Sequence, residues 1–341
     1  MIEFTDTSID KLIFHRISIE NDQSIISNSL VETSSREEEE ILKGIFLKAF
    51  ASSTVTYQFH HEVDISLNTL LKIATDIHND ENFVMKSINI HQHLKSVSKH
   101  PNIKDGDLFV AKFDAIQFNN RFYEALGIYK IENKESFIET SASGKGAMGL
   151  KFKKGIGKKL DKACLILFTD ITFTVFVIDN NSKETDYWQN EFIKVALRND
   201  NINSTSQFLS MAKTFVTEQY PAEFESNKTD QIELLNRSVS YFKEHENFNK
   251  KEFEREVLQD KGIIKSFRDF DSDYQDRNQI ELADEFEISP YAVKKQAKLF
   301  KSILKLDKNF HIYIHGNREL IEQGVEKDGR KYYKIYYKEE N

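Results

Sequence analysis

The chain has 341 residues, 39% of them apolar and 30% charged, with a formal net charge of −8. That length holds two packed domains, and the acidic total excludes a protein that coats nucleic acid with its whole surface while leaving room for a local basic face. The single cysteine, Cys164, excludes an intramolecular disulfide and a cysteine-based zinc cluster and fits a reducing compartment. The first residues, Met1 to Leu12, are acidic and alternating, unlike a signal peptide. The longest apolar run, Ala163 to Ile178, is broken by Asp170 and is too short to span a bilayer. These features predict a soluble cytoplasmic protein.

In chain order, Ile2 to Ile19 alternates as a strand, and Asn21 to Ser35 is polar and loop-like. Ser35 caps a helix whose acidic first turn, Arg36 to Glu40, suits the positive helix end. Further helices are predicted over Leu67 to Ile77 and Phe83 to Ser98. Asp107 to Ile131 reads as a β-hairpin turning at Asn119-Asn120, residues that tolerate left-handed backbone. Ser136 to Thr140 adds a short strand, LKFKKGIGKKLDK a flexible basic loop, and ACLILFTD with FTVFVID a second hairpin. Residues 1–185 therefore read as an α+β domain with an antiparallel sheet, two hairpins and a basic Gly/Lys loop.

From Trp188 the pattern is helical. Thr205 to Tyr220 stops at Pro221, and Asp230 to Glu246, Lys250 to Gln259 and Ile263 to Tyr274 follow. Over 280–305 a short helix, a turn and a basic second helix starting at Ser289-Pro290 outline a helix-turn-helix. An ordinary helical hairpin with a solvated lysine face reads the same way. Strands at Phe310 to Ile314 and Lys331 to Tyr337 close a mainly helical second domain, 186–341.

Charge is segregated along the chain. Ala142 to Ala163 carries a local +6 and Ser289 to Lys338 a local +7, so the remainder holds −21. Lys151, Lys153, Lys154, Lys158, Lys159 and Lys162 in the first segment, and Lys294, Lys295, Lys298, Lys301 and Lys305 in the second, are the candidate phosphate contacts. A solvated hairpin tip also accounts for the first set. Tyr332, Tyr333, Tyr336 and Tyr337, interleaved with lysines, suit base stacking or a blunted edge strand.

Other chemistry finds less support. Gly144, Gly146 and Gly149 spell GxGxxG, but Gly155 and Gly157 interrupt the helix that a dinucleotide loop must open. His91 and His93 are two apart in a predicted helix and diverge, so no metal is expected there, and no cofactor either. Asp107, Glu124 and Lys130 suggest a metal-dependent nuclease core, but the spacing between acid and lysine fails. Cys164 lies in an apolar strand where a thiol is inert.

The segments ADEFEISPYAVKKQAKLFKSILKLDKNFHIYIHGNRELIE, KTDQIELLNRSVSYFKE and LDKACLILF, with Tyr187-Trp188 and the early His-x-His, resemble the bacterial nucleoid-associated protein family in the form common among Bacteroidetes. The resemblance implies a cytoplasmic protein that co-localises with the chromosome and binds double-stranded DNA without strong sequence demands. It brings no catalytic motif. A non-enzymatic DNA binder is the expected function, a homodimer suiting a DNA-bridging role, with a module that docks on DNA-handling proteins as the alternative and a metal-dependent nuclease as a third reading.

Overall fold

The computed structural model describes residues 2–19, 23–143, 147–180, 187–278, 280–297, 300, 303–306, 308–313 and 320–339. Residues 1–198 and 199–341 form two compact units, and the architecture is α+β.

The first unit contains β1 (Ile2–Glu3), β2 (Ser8–Ile17), α1 (Arg36–Phe46), β3 (Tyr57–Phe59), α2 (Thr69–His78), α3 (Phe83–Val97), β4 (Gly106–Phe118), β5 (Arg121–Ile131), β6 (Glu135–Ser143), β7 (Ala147–Gly155), β8 (Lys162–Leu167), β9 (Thr174–Asp179) and β10 (Val195–Leu197). Eight strands make one antiparallel sheet in the order β1-β4-β5-β8-β9-β3-β10, with β2 also on β4. Asn119 and Asn120 both take positive φ, 49° and 62°, as a two-residue turn between right-twisted strands requires. A bulge interrupts the β4–β5 register between Phe113 and Ile116, with Ala115 at φ 55°.

Alternation along β4 decides what covers each face. Leu108 and Val110 join Leu126, Ile128 and Cys164 beneath Leu70, Ile77, Ile90 and Leu94 of α2 and α3. Phe109 and Tyr129 point the other way, where Phe46 of α1 stacks on Tyr129 at 4.4 Å. Ser35 caps α1 by accepting from the Glu38 N–H, and Asn68 and Asn82 cap α2 and α3 in the same manner. A π-helical segment, Trp188–Ile193, buries Trp188 and Phe192 against the α3 side of the core.

The second unit contains α4 (Asn201–Thr214), α5 (Tyr220–Glu223), α6 (Lys228–Glu244), β11 (Asn247–Asn249), α7 (Lys250–Phe253), α8 (Lys261–Asn278), β12 (Glu285–Glu287), α9 (Pro290–Gln296), β13 (Ile303–Leu306), β14 (Phe310–Tyr313), β15 (Ile321–Val325) and β16 (Lys331–Ile335). Phe208, Phe215, Phe242, Phe248, Phe253 and Phe267 form its aromatic centre. The chain ends in a small hairpin, β15–β16, whose Ile321 and Tyr333 pack on Ile232 of α6.

Two helical expectations are corrected. Pro221 does not end its helix: π-helical backbone over Phe215–Gln219 leads straight into α5, and the Tyr220 N–H bonds to the Phe215 carbonyl. The widened turn makes room for the proline ring, which clashes with the carbonyl four residues back in a regular α-helix. The helix expected over Ile280 to Phe286 is absent. Glu285–Glu287 is a strand on Asn247–Asn249, and the Gln275 side chain takes the Leu282 N–H at 2.7 Å. Helical spacing of apolar residues was outweighed there by tertiary partners for the backbone.

Tyr129 is fully buried with no hydrogen-bond partner for its hydroxyl among the described residues, and burial raises its pKa well above the usual phenol value. Tyr129→Phe removes an unsatisfied polar atom while keeping the ring stack. It should stabilise the protein by about 1 kcal/mol, read as a higher denaturation midpoint at unchanged m-value.

Candidate nucleic-acid interface

The segment expected as a flexible basic loop is in large part a strand. β7 pairs with β6 over its whole length in a two-stranded ribbon separate from the main sheet, with Glu139 opposite Lys151 and Ser136 opposite Lys154. Gly144 and Gly146 lie outside the described residues. Gly149 sits in the strand opposite Ser141, so no helix opens where a dinucleotide loop needs one. Gly155 and Gly157 serve packing: a Cβ on Gly155 would stand 2.7 Å from the Phe137 ring, and one on Gly157 would occupy the Glu135 carboxyl position.

Lys151, Lys153 and Lys154 on β7, and Lys158 and Lys159 just beyond it, are exposed. Lys153 forms an ion pair with Glu139. The other four make no ion pair among the described residues. Exposed lysine ammoniums of this kind act as point charges that neutralise phosphates.

Lys162 does not belong with them, and this expectation is corrected. It is 2% exposed, and its Nζ donates to Asp179 Oδ1 at 2.6 Å. Directly opposite it in the sheet is Lys130, 1% exposed, whose Nζ donates to the Lys104 carbonyl at 2.6 Å, Glu132 Oε1 at 2.9 Å and the Tyr187 hydroxyl at 3.0 Å. Both ammoniums lie over the Tyr187 ring, at 5.5 Å and 5.1 Å from its centroid. Burial lowers the Lys130 pKa, opposed by Glu132, and burial raises that of Tyr187. Sequence reasoning missed this network. Its signal was a lysine at the end of each of two apolar strands, LGIYKI and KACLIL.

In the second unit Ser289 caps α9 by accepting from the Ala292 N–H. Tyr291, Ala292 and Val293 are buried, Lys294 is exposed, and the Lys295 Nζ sits 5.6 Å over the Tyr291 ring. The helix expected to run on to Lys305 stops at Gln296, and Lys305 falls in β13 opposite His311. With β12 in place of its first helix, the 280–305 segment is not a helix-turn-helix. Lys298 and Lys301 lie outside the described residues, as does the Lys305 side chain. The groove of about 900 Å³ beside Lys294 also holds Glu244, Glu246 and Glu287, which oppose a phosphate.

The residues that suggested a nuclease core are each held by a different partner. Asp107 pairs with Lys134 at 2.7 Å and Lys130 with Glu132. Glu124 pairs with the buried Lys112 at 3.2 Å, which also meets Asp80 at 3.2 Å. Burial disfavours the Lys112 charge, but its hydrogen bonds to Glu124 and Asp80 outweigh this and raise its pKa. His91 bonds the Arg16 carbonyl and His93 the Phe192 carbonyl, so the pair diverges. His245, Glu252 and Glu256 are the one group among the described residues with metal-like spacing. Arg255 already bonds both carboxylates, at 3.2 Å and 3.0 Å.

What the first unit offers a polyanion is a set of exposed lysines on and just beyond a two-stranded ribbon separate from the main sheet. Residues 13–333 match the family model described as nucleoid-associated protein YejK, and the chain belongs to that family. No curated protein sequence matches the chain. Among the described residues no helix is long and apolar enough to cross a membrane.

Two outcomes follow from these placements. Lys162→Met deprives the Asp179 carboxylate of its buried counter-ion and should cost about 3–5 kcal/mol of stability, read as a lower midpoint in a denaturant titration. His15 is buried, donating from Nε2 to Ser87 and accepting the Ser27 N–H at Nδ1. Burial, with His91 adding to it, lowers its pKa from 6.5 to about 4, and His91 and His93 are lowered by burial too. The unfolded chain therefore takes up these protons first. Stability is fully present above pH 6.5 and is lost as the pH falls toward 4, by about 3 kcal/mol from His15 alone. Thermal melts between these pH values should show a shallower loss for His15→Asn than for the wild type.

Proposed function

We propose that the protein is a non-enzymatic, nucleoid-associated DNA-binding protein that holds duplex DNA through lysine–phosphate contacts with little sequence selectivity. The observation that supports this reading best is that Lys151, Lys154, Lys158 and Lys159, close together in the sequence, are exposed and without carboxylate partners among the described residues, in a member of a nucleoid-associated family. Family membership also carries the cytoplasmic, nucleoid localisation. Lysine lacks the planar fork that reads guanine edges, so it grips the backbone and leaves sequence unread. Lys153 contributes less because Glu139 holds it. Lys294 and Lys295 form a secondary contact, and Lys298, Lys301 and Lys305 extend that charge along the sequence.

Four neutralised phosphates correspond to a slope of roughly −3.6 in log K against log salt. Replacing Lys151, Lys154, Lys158 and Lys159 together by Ala should weaken duplex binding equally for unrelated sequences and remove most of that slope. Replacing Lys294 and Lys295 should have a smaller effect. A filter-binding series across salt measures both, and an unchanged slope in the quadruple variant would remove the ribbon from the interface.

A further inference from the structure

The β6–β7 ribbon has a second property that phosphate binding does not use. Residues directly opposite in an antiparallel pair share a face. Ile138 faces Phe152, Thr140 faces Leu150, Ala142 faces Met148 and Ser136 faces Lys154. Four members of this face are large, apolar and in solvent: Ile138 is 56% exposed, Leu150 62%, Met148 74% and Phe152 78%. The face has no carboxylate and a single cation, Lys154, at its root. Phe137, on the other face, lies over Gly155 and lines a groove with Ile41 and Ile45 of α1. The apolar face is therefore turned away from the body of its unit. A two-stranded ribbon is marginally stable alone in water, and a contiguous exposed apolar row marks a surface that is covered in use.

We propose that this face is a homodimer interface, in which the ribbons of two copies pack face to face and each covers the Ile138, Met148, Leu150 and Phe152 of the other. A two-fold contact uses one patch twice, so the patch must tolerate itself. An apolar row without acidic residues and with one cation at its end does so. DNA is a poorer occupant, because of the ribbon's exposed lysines only Lys154 shares this face. The exposed parts of the four side chains come to roughly 100–150 Å² each, or about 1,000 Å² over two copies, the size at which specific interfaces begin. Two stacked ribbons about 10 Å apart form a small β-sandwich that completes the cover each lacks. The dimer does not rest on the DNA reading and stands whether or not the lysines hold a polyanion.

Sedimentation equilibrium of the full chain tests this, from about 1 to about 100 μM, where an interface of this modest area is expected to populate both states. The wild type should pass from 39.9 kDa to twice that mass. The Leu150→Ser/Phe152→Ser double variant should keep the wild-type melting profile, since both side chains stand in solvent, and stay at the monomer mass. Ile138→Cys should form a covalent dimer with a short bismaleimide, because the chain's own Cys164 is fully buried. A wild type that is monomeric throughout would overturn the proposal. So would a double variant that dimerises like the wild type, or an Ile138→Cys protein that is dimeric but fails to cross-link. If the wild type is monomeric and the double variant loses DNA affinity, the face meets DNA and the dimer is likewise overturned.

Discussion

Two buried lysines stand directly opposite one another in the central sheet, Lys130 on β5 and Lys162 on β8. Like charges in that position repel, and a buried ammonium is costly without compensation. The structure answers both problems at one place. Asp179, directly across from Lys162 on β9, takes one charge and Glu132 takes the other. Tyr187 lays its ring beneath both ammoniums and its hydroxyl on Lys130. Asp161 completes the arrangement by accepting the N–H groups of Glu132 and Asn133, at 2.8 Å and 2.9 Å. Those residues are where the chain leaves the sheet for β6 and where it returns from β7. The network therefore fixes the root of the ribbon, and the candidate interface depends on it.

This dependence changes the meaning of the local charge. Counted along the sequence, Ala142 to Ala163 carries +6. In the fold, Lys162 is spent on Asp179 and Lys153 on Glu139, so the field offered to a polyanion comes from Lys151, Lys154, Lys158 and Lys159 among the described residues. The ribbon also separates its chemistry by strand parity. Its apolar row and most of its cations lie on different surfaces, so one small element presents two kinds of contact without forcing either to desolvate the other.

Much of the fold was legible because its signals are local. Asn119-Asn120 specified a turn, Ser35 a cap, and Ser289-Pro290 a helix start, each through backbone chemistry confined to a few residues. The α+β class and the second hairpin followed from periodicity in the same way. The misreadings occurred where a distant partner decides. LKFKKG looked like a loop because glycine and lysine are poor strand formers, yet the ladder from Glu135–Ser143 satisfies its backbone. ELADEFE had helical spacing, yet Asn247–Asn249 and Gln275 supply its hydrogen bonds. Lys162 differs from Lys159 in the sequence only by opening the apolar run KACLIL, and the partner that lets it be buried is Asp179, on a strand seventeen residues further on.

On the proposed reading, the acidic total, awkward at first for a nucleoid-associated protein, is part of how such a molecule would meet DNA. Outside its two basic segments the chain holds −21, so most of its surface repels a phosphate backbone. Repulsion over the body and attraction at a few lysines orient the approach, because only encounters that lead with the cations gain energy. A uniformly basic protein would adhere in any orientation. On the proposed reading, an acidic protein with exposed cations on a rooted ribbon would lead with that ribbon toward the duplex, with Lys294 and Lys295 as the lesser contact.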